Sequence, residues 1–233
     1  MNDVFMVRHG ENPANLTKEF SCLKVDYSLT EKGRIQAQQT GESLVKEQID
    51  VLYCSPLIRA RETAEIIGQY IGRTPIIVEE FRELNVGRLE LEPPTAENWR
   101  VHNEIFMGWL KGQPDLRFPD GEDYHNLLVR TRRAYENIIE GRNQQRIVVV
   151  GHGGQLMVTI KDICQNVTWQ KLMGQDVHNC AITHIRLGKE DGKLLGELVR
   201  WGDSSHLHGE AANVVKSYPT EEEHRLMQLR QPE

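Results

Sequence analysis

Val4-Phe5-Met6-Val7-Arg8-His9-Gly10-Glu11 decides the reading of this chain. Four apolar residues in a row, followed at once by a polar run with glycine, predict a short buried strand ending in a tight turn. The turn presents an arginine and a histidine at the rim of a hydrophobic layer: a cation to hold an oxyanion, and an imidazole to attack it or move its proton. A second stretch, Arg146-Ile147-Val148-Val149-Val150-Gly151-His152-Gly153-Gly154, repeats the design, with β-branched residues for a central strand and a histidine flanked by glycines at its end. In an open α/β sheet, parallel neighbours bring their carboxyl ends to one edge, where ligands sit. If these two strands are adjacent and parallel, His9 and His152 meet over that edge although 143 positions separate them. The glycines allow close backbone approach to a ligand, and a helix starting near Gly154 is expected to point free amides at an anion.

The length of 233 residues accommodates a sizeable core. Strand-like and helix-like segments alternate without a linker-like break, which predicts one domain over 1–233 with a helical cap segment around 93–118 and a polar tail from about 216. A formal charge of −6 argues against a general grip on nucleic acid while permitting a local basic pocket. Cys22, Cys54, Cys164 and Cys180 lack a close-spaced pair, and Cys54 and Cys180 fall in strand-like segments. They read as small buried hydrophobes in a reducing compartment. No signal-peptide pattern and no apolar run of spanning length is present, so the expected setting is cytoplasmic, away from membrane.

Along the chain, a polar loop from Pro13 to Tyr27 is long enough to form part of a binding rim. Thr30 is placed to cap a helix reaching about Lys46, on which Gly33, Ala37 and Gly41 form a small-residue stripe for close packing. The strand Val51–Cys54 stops at Ser55-Pro56, and the helix after it carries Arg59 and Arg61 in its first turns. Cations there oppose the helix dipole, which is easier to explain if an anion shares the site; Arg59 can reach back over the strand end, whereas Arg61 lies on another face. A third strand, Ile76-Ile77-Val78, leads into a carboxylate-rich segment from which one glutamate would serve as proton donor, with Glu79, Glu80, Glu83 and Glu90 as candidates. Thr95 is placed to cap a helix whose Trp99, His102, Ile105, Phe106, Trp109 and Leu110 form an aromatic stripe, expected to be mostly core with one or two residues lining the substrate pocket. Arg130, Arg132 and Arg133 read as the polar flank of the next long helix. Beyond His152, Cys180 to Leu187 and Leu194 to Trp201 predict an antiparallel hairpin at the sheet edge, turning at 188–192. Thr220 and Glu223 form a capping-box signature for a last polar helix. His206 and His208 lack the further ligands of a metal site.

Taken together, Arg8-His9-Gly10-Glu11, Ser55-Pro56-Leu57-Ile58-Arg59-Ala60, Glu83 with Gly87, and Gly151-His152-Gly153 resemble the histidine phosphatase superfamily, also called phosphoglycerate-mutase-like. The resemblance covers nearly the whole chain and takes in Asn15, Leu29-Thr30-Glu31-Lys32-Gly33, Arg61-Glu62-Thr63-Ala64 and Gly121-Glu122. It implies a three-layer α/β/α sandwich with a mostly parallel central sheet, an antiparallel edge strand, and a pocket at the strand carboxyl ends. It also implies His9 as the nucleophile that becomes phosphohistidine; Arg8, Asn15, Arg59 and His152 around the phosphoryl group; and Glu83 as proton donor and later general base. Asn12 stands where threonine or serine is common in the family, and Asp123 where serine is common.

The implied activity is hydrolysis of a small phosphomonoester, with no obligatory metal and no cofactor, because phosphoryl transfer is carried mainly by positioning and electrostatics. Neutral Nε2 of His9 would attack in line, with Nδ1 donating to a backbone carbonyl to set the tautomer. A 2,3-bisphosphoglycerate-dependent phosphoglycerate mutase is the alternative. Its branch resembles proteins with an arginine- and tyrosine-rich segment after the catalytic glutamate; here Arg88 and Arg100 are the available cations, among acidic residues. A noncatalytic phospholigand-binding protein is the third reading, and pairing of the terminal hairpin across a homodimer edge is a further expectation.

Overall fold

The computed structural model describes residues 1–172, 174–216, 218–223 and 225. Its centre is a sheet of six strands, β1 (Asn2–Arg8), β2 (Val51–Cys54), β3 (Ile76–Ile77), β4 (Arg146–Gly151), β5 (Ile182–Glu190) and β6 (Lys193–Asp203), in the order β3-β2-β4-β1-β5-β6. β3, β2, β4 and β1 are mutually parallel, while β5 pairs antiparallel with both β1 and β6. The hairpin turns at Asp191 and Gly192, both with positive φ, so β5 runs three residues past the predicted Leu187. Cys180 does not belong to the strand: it adopts a left-handed φ of 58° in the preceding loop and is buried, as are the other three free cysteines.

Strand alternation sorts the core into two layers. Val4 and Met6 of β1 and Ile147 and Val149 of β4 face one cluster, which is closed by helices α5 (Tyr124–Ile139) and α6 (Gly153–Ile163). Phe5, Val7, Val148 and Val150 face the other, with Leu44 of helix α2 (Glu31–Leu44) and Ala60, Ala64 and Ile67 of α3 (Ile58–Ile71). These central strands read as continuous apolar runs because both their faces are covered. The fold is therefore a three-layer α/β/α arrangement with a mostly parallel sheet.

Local chemistry sets the helix starts. Thr30 accepts from the Gly33 amide, Thr95 from Asn98 at the head of α4 (Ala96–Leu110), and Asp123 from Asn126 at the head of α5. Gly33 belongs to the stripe that lets α2 press against the loop after β1: a Cβ there would lie 2.1 Å from the Glu11 carbonyl oxygen. Two short helices, α1 (Pro13–Thr17) and α7 (Trp169–Leu172), lie after β1 and after α6. α4 packs its aromatic residues into a separate cluster with Phe20, Phe118 and Tyr124, at the edge of the α6 layer. Thr220 and Glu223 make the reciprocal bonds of a capping box, and most of the helix predicted beyond them lies outside the described residues.

The β1–β4 register positions the site. Val7 is opposite Val150 and Arg8 opposite Gly151, so both chains leave the sheet at the same level. His9 and His152 emerge side by side.

Candidate active site

The His9 and His152 rings lie 5.3 Å apart between centroids, both almost fully buried. His9 Nδ1 is 2.8 Å from the Gly10 carbonyl oxygen, and Nε2 is 3.2 Å from Nε of Arg59. A carbonyl only accepts and a guanidinium only donates, so Nδ1 carries the proton and Nε2 presents its lone pair. Burial, then the charges of Arg59 and Arg8, hold the imidazole well below its ordinary pKa. The residue is thus a neutral base with a defined tautomer. The main chain of His9 is also fixed: its amide donates to the Gly151 carbonyl, and its own carbonyl accepts from Asn179 Nδ2 at 3.0 Å.

Arg59 is 2 % exposed in the first turn of α3, and a fork of partners immobilises it. Nη1 reaches Ser21 Oγ at 3.1 Å and Asp26 Oδ1 at 3.2 Å, while Nη2 donates to the Ser21 carbonyl at 2.7 Å. Asp26 also accepts from the Ile58 amide at 2.6 Å, which supplies the side-chain cap that α3 lacks in its own sequence. Arg8 is anchored at its far end, with Nη1 donating to the Val177 carbonyl at 2.7 Å. Burial lowers the pKa of both guanidiniums, and Glu83 opposes that effect.

His152 is the N-cap residue of α6. Its Nε2 is 2.7 Å from Ser55 Oγ, and its buried Nδ1 has no hydrogen-bond partner among the described residues. Ser55 Oγ already accepts from the Leu57 amide, so its hydroxyl proton can be donated to Nε2, leaving an N–H at Nδ1. Burial, followed by Arg59 and His9, keeps this ring well below its ordinary pKa.

Of the four candidate glutamates, Glu83 is the one that lines the cavity with these groups. Its Oε1 accepts from the Leu84 and Gln155 amides at 2.8 and 2.7 Å, and Oε2 from the Gly154 amide at 3.1 Å. The first amides of α6 were expected to be free for an anion; they are instead occupied by this carboxyl. Gly154 makes the contact feasible, since a Cβ there would lie 2.9 Å from Glu83 Oε1. Arg130, expected on a solvated flank, turns inward and binds the Glu80, Arg82 and Glu83 carbonyls and the Glu122 carboxylate. It fixes the backbone that carries Glu83.

Glu90 has a different task. Its Oε1 accepts from the amides of Cys22, Leu23, Lys24 and Val25 at 2.6 to 3.0 Å and so shapes the loop that brings Ser21 and Asp26 to Arg59. Asn15 forms a capping box with Asn12, and its Oδ1 also accepts from Asn179 Nδ2 at 3.0 Å. Ser21, Asp26, Ser55, Arg130 and Asn179 were not identified from sequence. Ser21 and Asp26 lie in the 13–27 rim segment and Ser55 opens the motif that carries Arg59, but the part each plays comes from a contact made by folding.

The cavity measures about 130 Å³; Arg8, His9, Asn15, Arg59 and Glu83 line its phosphoryl-binding side, and His152, expected against the phosphoryl group, is not part of the lining. Phe20, Trp99, His102, Phe106, Met157 and Tyr218 line its outer part. Arg88 and Arg100 do not line it: they are exposed and paired with Asp120, and with Glu97 and Glu104. His206 and His208 do not converge either, with Nε2 of each directed to Thr40 and Gln39. Among the described residues, no helix is long and apolar enough to cross a membrane.

Fold and site together define an α/β protein whose sheet edge presents two buried guanidiniums and the His9 imidazole to one cavity, with the His152 ring packed behind His9 at 5.3 Å between centroids. The profile of the histidine phosphatase superfamily (branch 1) matches residues 4–203, and the chain belongs to that family. A probable phosphoglycerate mutase GpmB of Erwinia tasmaniensis is 31 % identical over 225 residues, 93 % of this chain and 100 % of that protein. A putative phosphoserine phosphatase 2 of Hydrogenobacter thermophilus is 26 % identical, over 84 % of this chain and 94 % of that one. Among solved structures, a mycobacterial glucosyl-3-phosphoglycerate phosphatase complexed with VO3 superposes with a TM-score of 0.73 at 20 % identity, covering 88 % of this chain and 100 % of its own. Bacillus stearothermophilus YhfR gives a TM-score of 0.71 at 27 % identity, covering 88 % and 99 %.

Proposed function

We propose that the protein hydrolyses small phosphomonoesters through a phosphohistidine on His9. One observation carries this reading: His9 is buried, neutral and held with its Nε2 lone pair beside a guanidinium, lining a cavity that also contains Arg8 and Glu83. Structure alone has no use for such a convergence of polar groups, since each buried charge costs free energy that a packed apolar residue would not.

In the first half-reaction Nε2 attacks phosphorus, the P–N bond forms and the ester P–O bond breaks. Arg8, Arg59 and an N–H at His152 Nδ1 neutralise charge on the equatorial oxygens. Glu83, in its protonated form, gives its proton to the departing alkoxide. In the second, the Glu83 carboxylate takes a proton from water as the water oxygen attacks phosphorus, and the P–N bond breaks to release phosphate and the original imidazole. Glu83 Oε2 makes one amide contact where Oε1 makes two, and is the oxygen assigned to this exchange.

The likeness to probable phosphoglycerate mutases favours a second reading, transfer from a 2,3-bisphosphoglycerate-primed enzyme. Placement of Arg88 and Arg100 outside the cavity weighs against it, because a second phosphate and a carboxylate would lack those cations. Phosphate release should be followed from a phosphomonoester panel containing 3-phosphoglycerate, with and without 2,3-bisphosphoglycerate, for the wild type and His9→Ala. Cofactor-independent release lost in His9→Ala, with acid-labile phosphate trapped on the wild-type chain, is expected. Release that survives His9→Ala overturns the nucleophile, and cofactor-dependent isomerisation with little release overturns the hydrolase.

A further inference from the structure

We propose that the outer part of the cavity selects phosphomonoesters of compact alcohols with an uncharged apolar body, and rejects alcohols that carry a carboxylate. The proposal rests on the hydrolase reading and assigns the leaving group.

The wall beyond the phosphoryl end is made of rings. His102 is sandwiched between Phe20, with centroids 5.3 Å apart and planes at 25°, and Phe106, at 5.6 Å and 19°. Trp99 meets His102 edge-on at 5.1 Å, and Tyr218 packs edge-on against both Trp99 and Phe106. The polar handles of this wall are already used or uncharged. The Trp99 indole N–H donates to the Lys18 carbonyl at 3.1 Å, so the residue offers its ring rather than a donor. His102 is buried, which pulls its pKa down to about 4 and leaves it neutral near pH 7.

The cations that a carboxylate would need are engaged elsewhere. The Lys18 ammonium is buried against the Asn15 and Lys216 carbonyls, at 3.2 and 2.9 Å, and pairs with Glu223 at 3.5 Å. The two cations that do line the cavity, Arg8 and Arg59, belong to the phosphoryl end; the remaining charged side chain on the outer wall is the acid Glu19. A carboxylate moved into this space would lose hydration against aromatic faces without gaining a counter-charge. An apolar group gains the burial free energy and ring contacts instead.

The test compares esters of primary alcohols, and the binding of matched phosphonates separates recognition from leaving ability. Initial rates would be measured for 2-phenylethyl phosphate, ethyl phosphate, 3-phosphoglycerate, O-phosphoserine and phosphocholine. The matching phosphonates, 2-phenylethylphosphonate and ethylphosphonate, would be titrated as non-hydrolysable competitors or by calorimetry. Expected are a kcat/KM for the phenylethyl ester roughly tenfold or more above ethyl phosphate, a similar ratio of phosphonate affinities, and 3-phosphoglycerate below both. In Phe106→Ala the phenylethyl-to-ethyl ratio should fall toward one; Met157→Ala, which removes a flexible side chain from the same wall, should lower it independently if the first variant folds poorly. Equal ratios, or fastest turnover of 3-phosphoglycerate, phosphoserine or phosphocholine, overturn the assignment. Phosphonates that bind with the aromatic preference while no ester is hydrolysed overturn the hydrolase and leave the ligand class standing; hydrolysis without that preference does the reverse.

Discussion

At the scale of single residues, the site works by making one imidazole neutral and holding it still. Two buried guanidiniums and burial itself penalise the protonated form of His9, so the nucleophilic form persists into acid. Nitrogen-detected NMR of the imidazole should show Nε2 unprotonated at pH 6.5, where an ordinary imidazole is half protonated. Arg59→Ala removes one of the two cations named as causes, and the His9 midpoint should rise toward the ordinary value near 6.5, where the exposed imidazole of an unfolded chain titrates. A midpoint unchanged by the substitution would leave burial and Arg8 as the causes that set the form. Arg59 is also assigned to the equatorial oxygens of the transferring phosphoryl group, so the same variant should lose activity by ~100-fold or more, in keeping with removal of a buried donor to developing charge.

At the scale of elements, Glu90 and Arg130 connect chain segments that have no covalent reason to meet. Glu90 gathers four consecutive amides of the loop after α1, and that loop carries the two residues that fix Arg59. Glu90→Ala leaves those amides without their acceptor and should destabilise the fold by about 2 kcal/mol. Its more specific signature is a rise in KM larger than the fall in kcat, together with faster proteolysis within residues 21–26; Glu90→Gln, which keeps an acceptor oxygen, should recover much of the KM. Arg130 acts in the same way on the Glu83 backbone. Arg130→Lys cannot reproduce a fork that reaches three carbonyls and a carboxylate, and the expected loss is in kcat, because the displaced group is the proton donor. Unchanged kcat with a lower melting temperature would reduce Arg130 to a structural tie.

At the scale of the whole molecule, burial holds five of the described histidines below their ordinary pKa, His9, His102, His152, His178 and His206. Each has a folded pKa below its unfolded value, so below about pH 6.5 the unfolded chain binds more protons and stability falls as pH falls. For His102, with a folded pKa of about 4, the loss between pH 7 and pH 5 is about 2 kcal/mol. Denaturant unfolding of His102→Phe at the two pH values should show that much less acid sensitivity than the wild type. An equal slope in the two proteins would assign the acid sensitivity to other groups. The ring stack around His102 is also the outer wall of the cavity, so acid stability and leaving-group recognition depend on one cluster.

How much of this was legible follows from the range of the forces involved. Strand-long apolar runs, the Thr30 and Thr95 starts and the small-residue stripe of α2 are local patterns, so the layers and the meeting of His9 with His152 were readable from β1 and β4. Cys180 misled because its apolar neighbours continue the strand pattern while its own φ is positive. Arg130 misled because helical spacing assigned it to a polar face, where it finds buried carbonyls supplied by residues 80–83. The choice of Glu83 among four glutamates came from family resemblance; its geometry depends on amides of α6, some seventy positions away. Sequence by itself determined the order of strands and helices and the residue types delivered to the sheet edge, because periodicity and capping act within a few residues. Only the tertiary structure decided which nitrogen of His9 bears the proton, what holds Arg59, and that the outer wall is ring-lined and free of spare cations, because those depend on side chains far apart in the chain meeting at hydrogen-bonding distance.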